Sequence, residues 1–235
     1  MVSGSSSGIG QATARHLAEV GADVVVNSSS SVEAGEAVSN SLPTESFYHQ
    51  ADISSAEACQ GMIDAVVDRF GRLDILVNNA GWTTAVPHED LDGLTDEIFL
   101  KTFEVNVFGT WWLTKAAMPH LQKAPDGNVV NITSVAGVRP IGSSIAYSMS
   151  KAALNQMTVL LAKSMGPVRV NAVAPGVVAT PWTDGWDDMN HTAERAPLHR
   201  TAIPDEIAQA VMGLVTNTYV TGEVMVVDGG LTQIM

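Results

Sequence analysis

The sequence predicts one α/β domain built on a doubly wound parallel sheet with helices on both faces, and three observations predict it. Short β-branched runs recur along the chain, longer stretches of helical periodicity separate them, and no linker, low-complexity tract or composition shift divides the 235 residues. Continuous apolar runs suit strands covered on both faces, as a parallel sheet between two helix layers requires. A chain of this length can close a single core around such a sheet.

The strands are expected at DVVVN (23–27), FYHQAD (47–52), LDILVNN (73–79), NVVNITS (128–134), VRVNAVAPG (168–176) and EVMVVDGG (223–230). A helix should start near Gln11, behind SGSSSGIG, and another should cover Val32 to Asn40. The segment from Ser55 to Phe70 places Met62, Ile63, Val66, Val67 and Phe70 at helical spacing, behind a serine cap and ahead of a stop at Gly71. Long helices are expected at Leu100–Gln122 and Tyr147–Ser164.

Composition narrows the partners. A net charge of −13 repels the phosphate backbone of a nucleic acid. No apolar run approaches the ~18 residues of a membrane helix. A single cysteine, Cys59, rules out an internal disulfide framework, and MVSGSSSG does not read as a secretory signal, so a reducing, cytoplasmic setting is expected. The six histidines show no ligand-like spacing with Cys59, and no metal site is expected.

Sheets of this kind bind ligands at the carboxyl ends of their strands. There, Gly4, Gly8 and Gly10 allow a tight turn and the close approach of a pyrophosphate to a helix N-terminus, although a flexible serine-glycine terminus would read the same way. The strand DVVVN runs into Ser28 and Ser29, where a carboxylate would be expected to hold an adenosine ribose 2′-hydroxyl. None stands there to repel a 2′-phosphate, which favours NADP over NAD; serines that merely cap the helix from Val32 suit either.

Tyr147 and Lys151 lie four residues apart in a helical pattern and share a face. An ammonium beside a phenol favours the phenolate and lowers a pKa that is ordinarily near ~10, making the phenol usable as acid and base. Read alone, the pair is also an ordinary helix-surface pair. Ser134 ends an apolar strand at the ligand edge, and Asn106 lies among apolar neighbours in FEVNVFGTWW, where a bracket within the core is its alternative role.

Taken in order, SGSSSGIG, ADIS, NNAG, EVNVFG, NITSVAG, YSMSK, NAVAPGVVAT and YVTGEVMVVDGG make the chain resemble the short-chain dehydrogenase/reductase family over nearly its whole length, and APLHRTAIPDEIA is similar to its 3-oxoacyl-(acyl carrier protein) reductases. The resemblance implies a Rossmann-type domain over residues 1–235 that moves a hydride between NAD(P) and a carbonyl or secondary alcohol. It implies that Ser134 bonds the substrate oxygen, Tyr147 transfers the proton, Lys151 binds the nicotinamide ribose and tunes the phenol, and Asn106 holds a relay water. The cofactor would meet Gly4, Ser6, Ser7, Gly8, Ile9, Gly10, Ser28, Ser29, Asp52, Ile53, Asn79, Ala80, Gly81, Pro175, Gly176, Val178 and Thr180. A substrate lid is implied over about 181–203, with Trp182 and Trp186 facing a small-molecule substrate. Dimers or tetramers would form through the two long helices. A cofactor sensor without turnover and a lyase or isomerase are the rival readings.

Two departures from the family accompany this. Only Met1, Val2 and Ser3 precede the glycine turn, so a strand that belongs mid-sheet is cut short and should leave unpaired backbone groups beside its neighbours. The stretch GLVTNTYVTG is also short, which should trim only a surface turn.

Overall fold

The computed structural model describes residues 1–184 and 194–234. Its strands are β1 (Val24–Ser28), β2 (Ser46–Gln50), β3 (Ile75–Asn78), β4 (Asn128–Ile132), β5 (Arg169–Pro175) and β6 (Val224–Val227). The α-helices are α1 (Gly8–Glu19), α2 (Val32–Ser41), α3 (Ala56–Phe70), α4 (Asp96–Phe103), α5 (Thr110–Leu121), α6 (Ile145–Ser164) and α7 (Pro204–Thr216). Every strand pairing is parallel, giving the ladders β1-β2 and β3-β4-β5-β6.

The segment Met1–Ser3 lies between these ladders. Val2 bridges Val26 on one side and Val77 on the other. Its N–H donates to the Val25 carbonyl at 3.1 Å, the Val77 N–H donates to the Met1 carbonyl at 2.9 Å, and the Ser3 N–H donates to the Val77 carbonyl at 3.0 Å. The expectation of unpaired groups beside the shortened strand is thus corrected at this level of the sheet: three residues suffice to bridge both neighbours, and Val2 is fully buried between them.

Because the pleat sends alternate residues to opposite faces, each strand feeds two cores. Val25, Leu76, Val129 and Val170 pack against Met62, Ile63 and Val66 of α3 and Leu113, Ala117 and Leu121 of α5. Val24, Val26, Val77, Val130 and Val173 pack against Ala14 and Leu17 of α1 and Ile207, Val211 and Leu214 of α7. Side-chain patterning alone thus explains the two helix layers.

Local signals set several ends. Ser55 caps α3 by accepting from the Ala58 N–H at 3.1 Å, and Gly71 closes it in the left-handed region at φ 71°. Ser144 caps α6 by accepting from the Tyr147 N–H at 3.1 Å. The helix expected over Leu100–Gln122 starts instead at Asp96, behind a Thr95 cap, and carries a π-helical turn over Glu104–Gly109. A β-carbon at Gly109, the last residue of that turn, would come 2.7 Å from the Ile53 carbonyl, so only glycine lets the helix pass there. Helix α7, not expected as a helix from the sequence, begins with Pro204 at its first turn, where a missing N–H costs nothing, followed by Asp205 and Glu206.

Candidate active site

At the carboxyl ends of the strands the glycine turn is shaped by its neighbours. Gly4 and Gly8 adopt φ 60° and 55°. At Gly10 a β-carbon would strike the Gly4 carbonyl at 2.4 Å and the Asn79 amide at 2.5 Å, so the turn and the start of α1 close only on glycine. Asn79 donates from Nδ2 to the Ser3 and Gly4 carbonyls at 3.0 and 2.8 Å. The Ala80 N–H donates to Ser3 Oγ at 3.1 Å. Ser6, Ser7 and Ile9 lie on the open side, and Ser7, the residue before α1, makes no side-chain capping bond. The first turn of α1 therefore keeps donors free to face an anion.

The sequence reading missed Asn27, which ties this turn to β1. Its Oδ1 accepts from the Gly4 N–H at 3.1 Å, and its Nδ2 donates to the His49 and Ala51 carbonyls at 3.1 and 3.0 Å. The available signal was a polar residue closing the apolar run DVVVN, and the structure buries it. Ser28 is also buried, and its hydroxyl meets the Tyr48 hydroxyl at 2.8 Å, while Ser29 is exposed and its carbonyl accepts from Gln50 Nε2 at 2.9 Å. Asp52 is exposed and accepts from the N–H and hydroxyl of Ser54; Ile53 is buried beside Gly109.

On the other side of the sheet edge, Gly176 follows β5 and donates to the Val227 carbonyl at 2.9 Å, and Val178 bridges Ala202. Thr180 approaches the glycine turn: a β-carbon at Gly8 would lie 3.3 Å from its Cγ2. Of the lid residues expected near the substrate, Trp182 is half exposed, and its ring tip would lie 3.5 Å from a β-carbon at Gly81. Trp186 lies outside the described residues.

Tyr147, Lys151 and Ser134 converge. One turn apart on α6, Tyr147 and Lys151 place the ammonium 5.6 Å from the centre of the phenol ring. Lys151 is 4% exposed and donates to the Ile132 carbonyl at the end of β4, at 3.0 Å. Burial pushes its pKa down to about 8. Burial also pushes the Tyr147 phenol up, and the hydrogen bond from Ser134 pulls it part of the way back. The lysine was expected to lower the phenol; here loss of water around the phenolate raises it, and the ammonium donates to a carbonyl rather than to the phenolic oxygen.

Asn106 sits in the π turn, fully buried. Its Oδ1 accepts from the Trp82 N–H at 2.7 Å, while Nδ2 donates to the Trp82 carbonyl at 2.9 Å and to Ser150 Oγ at 3.0 Å. Both amide donors are used within the protein. Gly81 is the meeting point: a β-carbon there would come 3.3 Å from Asn106 Oδ1 and 3.6 Å from Lys151 Nζ. Below this floor lies a buried polar relay in which Asn78 donates to Thr114 and Asn131, and Asn131 to Thr158, at 2.8–2.9 Å. Among the described residues no three His, Cys, Asp or Glu side chains gather as a metal set, and no helix is long and apolar enough to cross a membrane.

The comparisons with known proteins agree with this arrangement. Residues 4–232 match the model of a family described as enoyl-(acyl carrier protein) reductase. The chain is 50% identical over 235 residues to a Streptomyces violaceoruber protein named as ketoacyl reductase 2 of the granaticin polyketide synthase, covering 98% of this chain and 94% of that one. It is 33% identical over 244 residues to the 3-oxoacyl-[acyl-carrier-protein] reductase of Thermotoga maritima, covering 98% and 96%. Among solved structures, a short-chain dehydrogenase from Burkholderia cenocepacia in complex with NADP superposes with a TM-score of 0.91 at 34% identity, over 98% of this chain and 96% of that one. With such likeness along nearly its whole length, and with the phenol, ammonium and glycine turn at one sheet edge, the chain belongs to the short-chain dehydrogenase/reductase family of NAD(P)-dependent oxidoreductases that interconvert carbonyls and alcohols.

Proposed function

We propose that the chain reduces a ketone, or oxidises the matching secondary alcohol, with Tyr147 as proton donor and acceptor and NADP preferred to NAD. The observation that carries this is the pairing of a half-buried Tyr147 with a buried Lys151 held on the end of β4, with Ser134 on the phenol. The residues present fit a dinucleotide: Gly4 and Gly8 stand in the left-handed region, the gap at Gly8 faces Thr180, and the first turn of α1 is uncapped. Gly4, Ser6, Ser7, Gly8, Ile9 and Gly10 would hold the pyrophosphate, and Asp52, Ile53, Asn79, Ala80, Gly81, Pro175, Gly176, Val178 and Thr180 would line the remainder. When bound, the nicotinamide supplies or takes up the hydride.

The protein's own part is to orient and to move a proton. Ser134 would hold the substrate oxygen, and the phenol, kept protonated at neutral pH by burial, donates to that oxygen in reduction. Lys151 and Ser134 then stabilise the phenolate left behind. Because both amide donors of Asn106 are occupied, a relay water there would rest on its carbonyl oxygens. The neutral end of β1, where Ser28 and Tyr48 meet, carries no carboxylate against a 2′-phosphate, which supports NADP.

Exposed apolar residues on the long helices support assembly of the chain into dimers or tetramers. They are Leu100 on α4, Phe108 in the π turn and Trp111 on α5, and Met149, Val159 and Leu160 along α6. The buried Cys59 thiol, its pKa raised to about 11 by burial, suits a reducing cytoplasm. The test is ketone-dependent loss of NADPH and NADH absorbance, with Tyr147→Phe as control. Binding of both nucleotides without turnover of any ketone would sink this reading in favour of a sensor, and product formation with no net change in NADPH would favour a lyase or isomerase.

A further inference from the structure

The cleft beside Gly81 has two tryptophans in its wall. Lined by Gly81, Trp82, Thr83, Thr84, Ala85 and Trp182, it encloses ≈ 430 Å³ and opens to solvent. Trp82 follows directly on the floor glycine that touches Asn106 and the Lys151 ammonium. Its backbone is clamped on both polar groups by Asn106, whose other donor bond goes to Ser150 on α6, so the Trp82 backbone is fixed relative to the helix that carries Tyr147 and Lys151. Lys101 of α4 stands 4.6 Å from the centre of the Trp82 ring, which further restrains it. Across the same floor lies the tip of Trp182.

Two indoles within reach of one reaction centre present flat, polarisable surfaces, which reward a flat partner by offset stacking in addition to burial. The polar groups of this wall are few. The Thr83 hydroxyl is already bound to Ser143 Oγ at 2.6 Å, and among the described residues no carboxylate, amide or guanidinium side chain lines the cleft. A sugar would have its hydroxyls desolvated against two indoles with little to replace the lost water. A linear acyl chain has no face to stack. We infer that this cleft takes a planar, ring-bearing ketone, conjugated or aromatic, and that Trp82 is the residue that selects it over linear ketones and sugars.

The inference rests on the oxidoreductase reading for the site's position, yet it can be measured without turnover. Binding of 1-tetralone and of the linear ketone 2-decanone to the protein with NADP would be followed by calorimetry, for the native chain, Trp82→Leu and Trp82→Phe, each checked for native circular dichroism. The expected result is that the affinity ratio, tetralone over decanone, falls at least about tenfold in Trp82→Leu and is largely restored in Trp82→Phe, which keeps an aromatic face. Should Trp82→Leu fail to fold, Trp182→Leu provides the second reading, with a smaller fall in the same ratio. A ratio near one in the native chain, or one unmoved by these changes, overturns the inference. Reduction of the same ketones is then assayed separately. Selective tetralone binding with no hydride transfer leaves Trp82 as the selecting residue and sinks the oxidoreductase reading instead.

Discussion

Around the glycine turn, the contacts that hold the chain are neutral and satisfied: Asn27 and Asn79 span from turn to strands, and the Ser3 and Ser5 hydroxyls bind backbone groups. Beside the end of β4, by contrast, the chain holds two titratable groups, the half-buried Tyr147 and the buried Lys151, both displaced from their ordinary pKa by loss of water. The first region gains stability from its polar residues. The second gives stability up, because an ammonium whose pKa falls from 10.5 to about 8 is held at a cost throughout neutral pH. One end of the cleft is held by neutral contacts and the other carries groups that can exchange a proton.

That contrast can be broken from either side. The largest effect is expected for Tyr147→Phe, which should lower kcat on the order of a thousandfold while leaving the melting temperature and nucleotide affinity near those of the native protein, as seen by steady-state kinetics and calorimetry. Asn27→Ala should do the reverse: stranding the Gly4 N–H and the His49 and Ala51 carbonyls should cost about 3 kcal/mol in denaturant titrations.

Replacing Lys151 by Met should instead raise stability by roughly 2 kcal/mol at neutral pH, the ammonium's desolvation offset in part by the lost bond to Ile132. Between about 8 and 10.5 the unfolded chain binds more protons than the folded one, so native stability climbs with pH across that window. The advantage of the variant should shrink there, which denaturation at both ends of the range would show. Smallest is Tyr48→Phe, which removes the partner of the Ser28 hydroxyl and should shift the NADPH to NADH preference by no more than about tenfold.

Much of this was legible in the residues. Each expected strand run overlaps an observed strand, because burial on both faces leaves a continuous β-branched signal, and α3 carries the serine cap and glycine stop read from its sequence. The site's phenol, ammonium and serine were found through spacing and company, and they do converge. What escaped was decided by contacts between distant segments. Gly109 at the end of the π turn passes the Ile53 carbonyl, Asn27 acts on residues far from it in the chain, and Trp82 is held by Asn106 and Lys101. The raised phenol was misjudged because proximity of charge is visible in spacing, whereas loss of water is not.

The way the two ladders are joined carries over into how the molecule breathes. Val2 marks the seam between them, bridging Val26 on one side and Val77 on the other. β2 is paired on one side only, whereas β4 and β5 are paired on both, so amides of β2 should exchange with solvent sooner than those of β4 and β5. The same seam runs through the glycine turn, with Asn27 on one bank and Asn79 and Ala80 on the other. A nucleotide lying across it would act as a staple, and by mass action its concentration would set how often the two banks part.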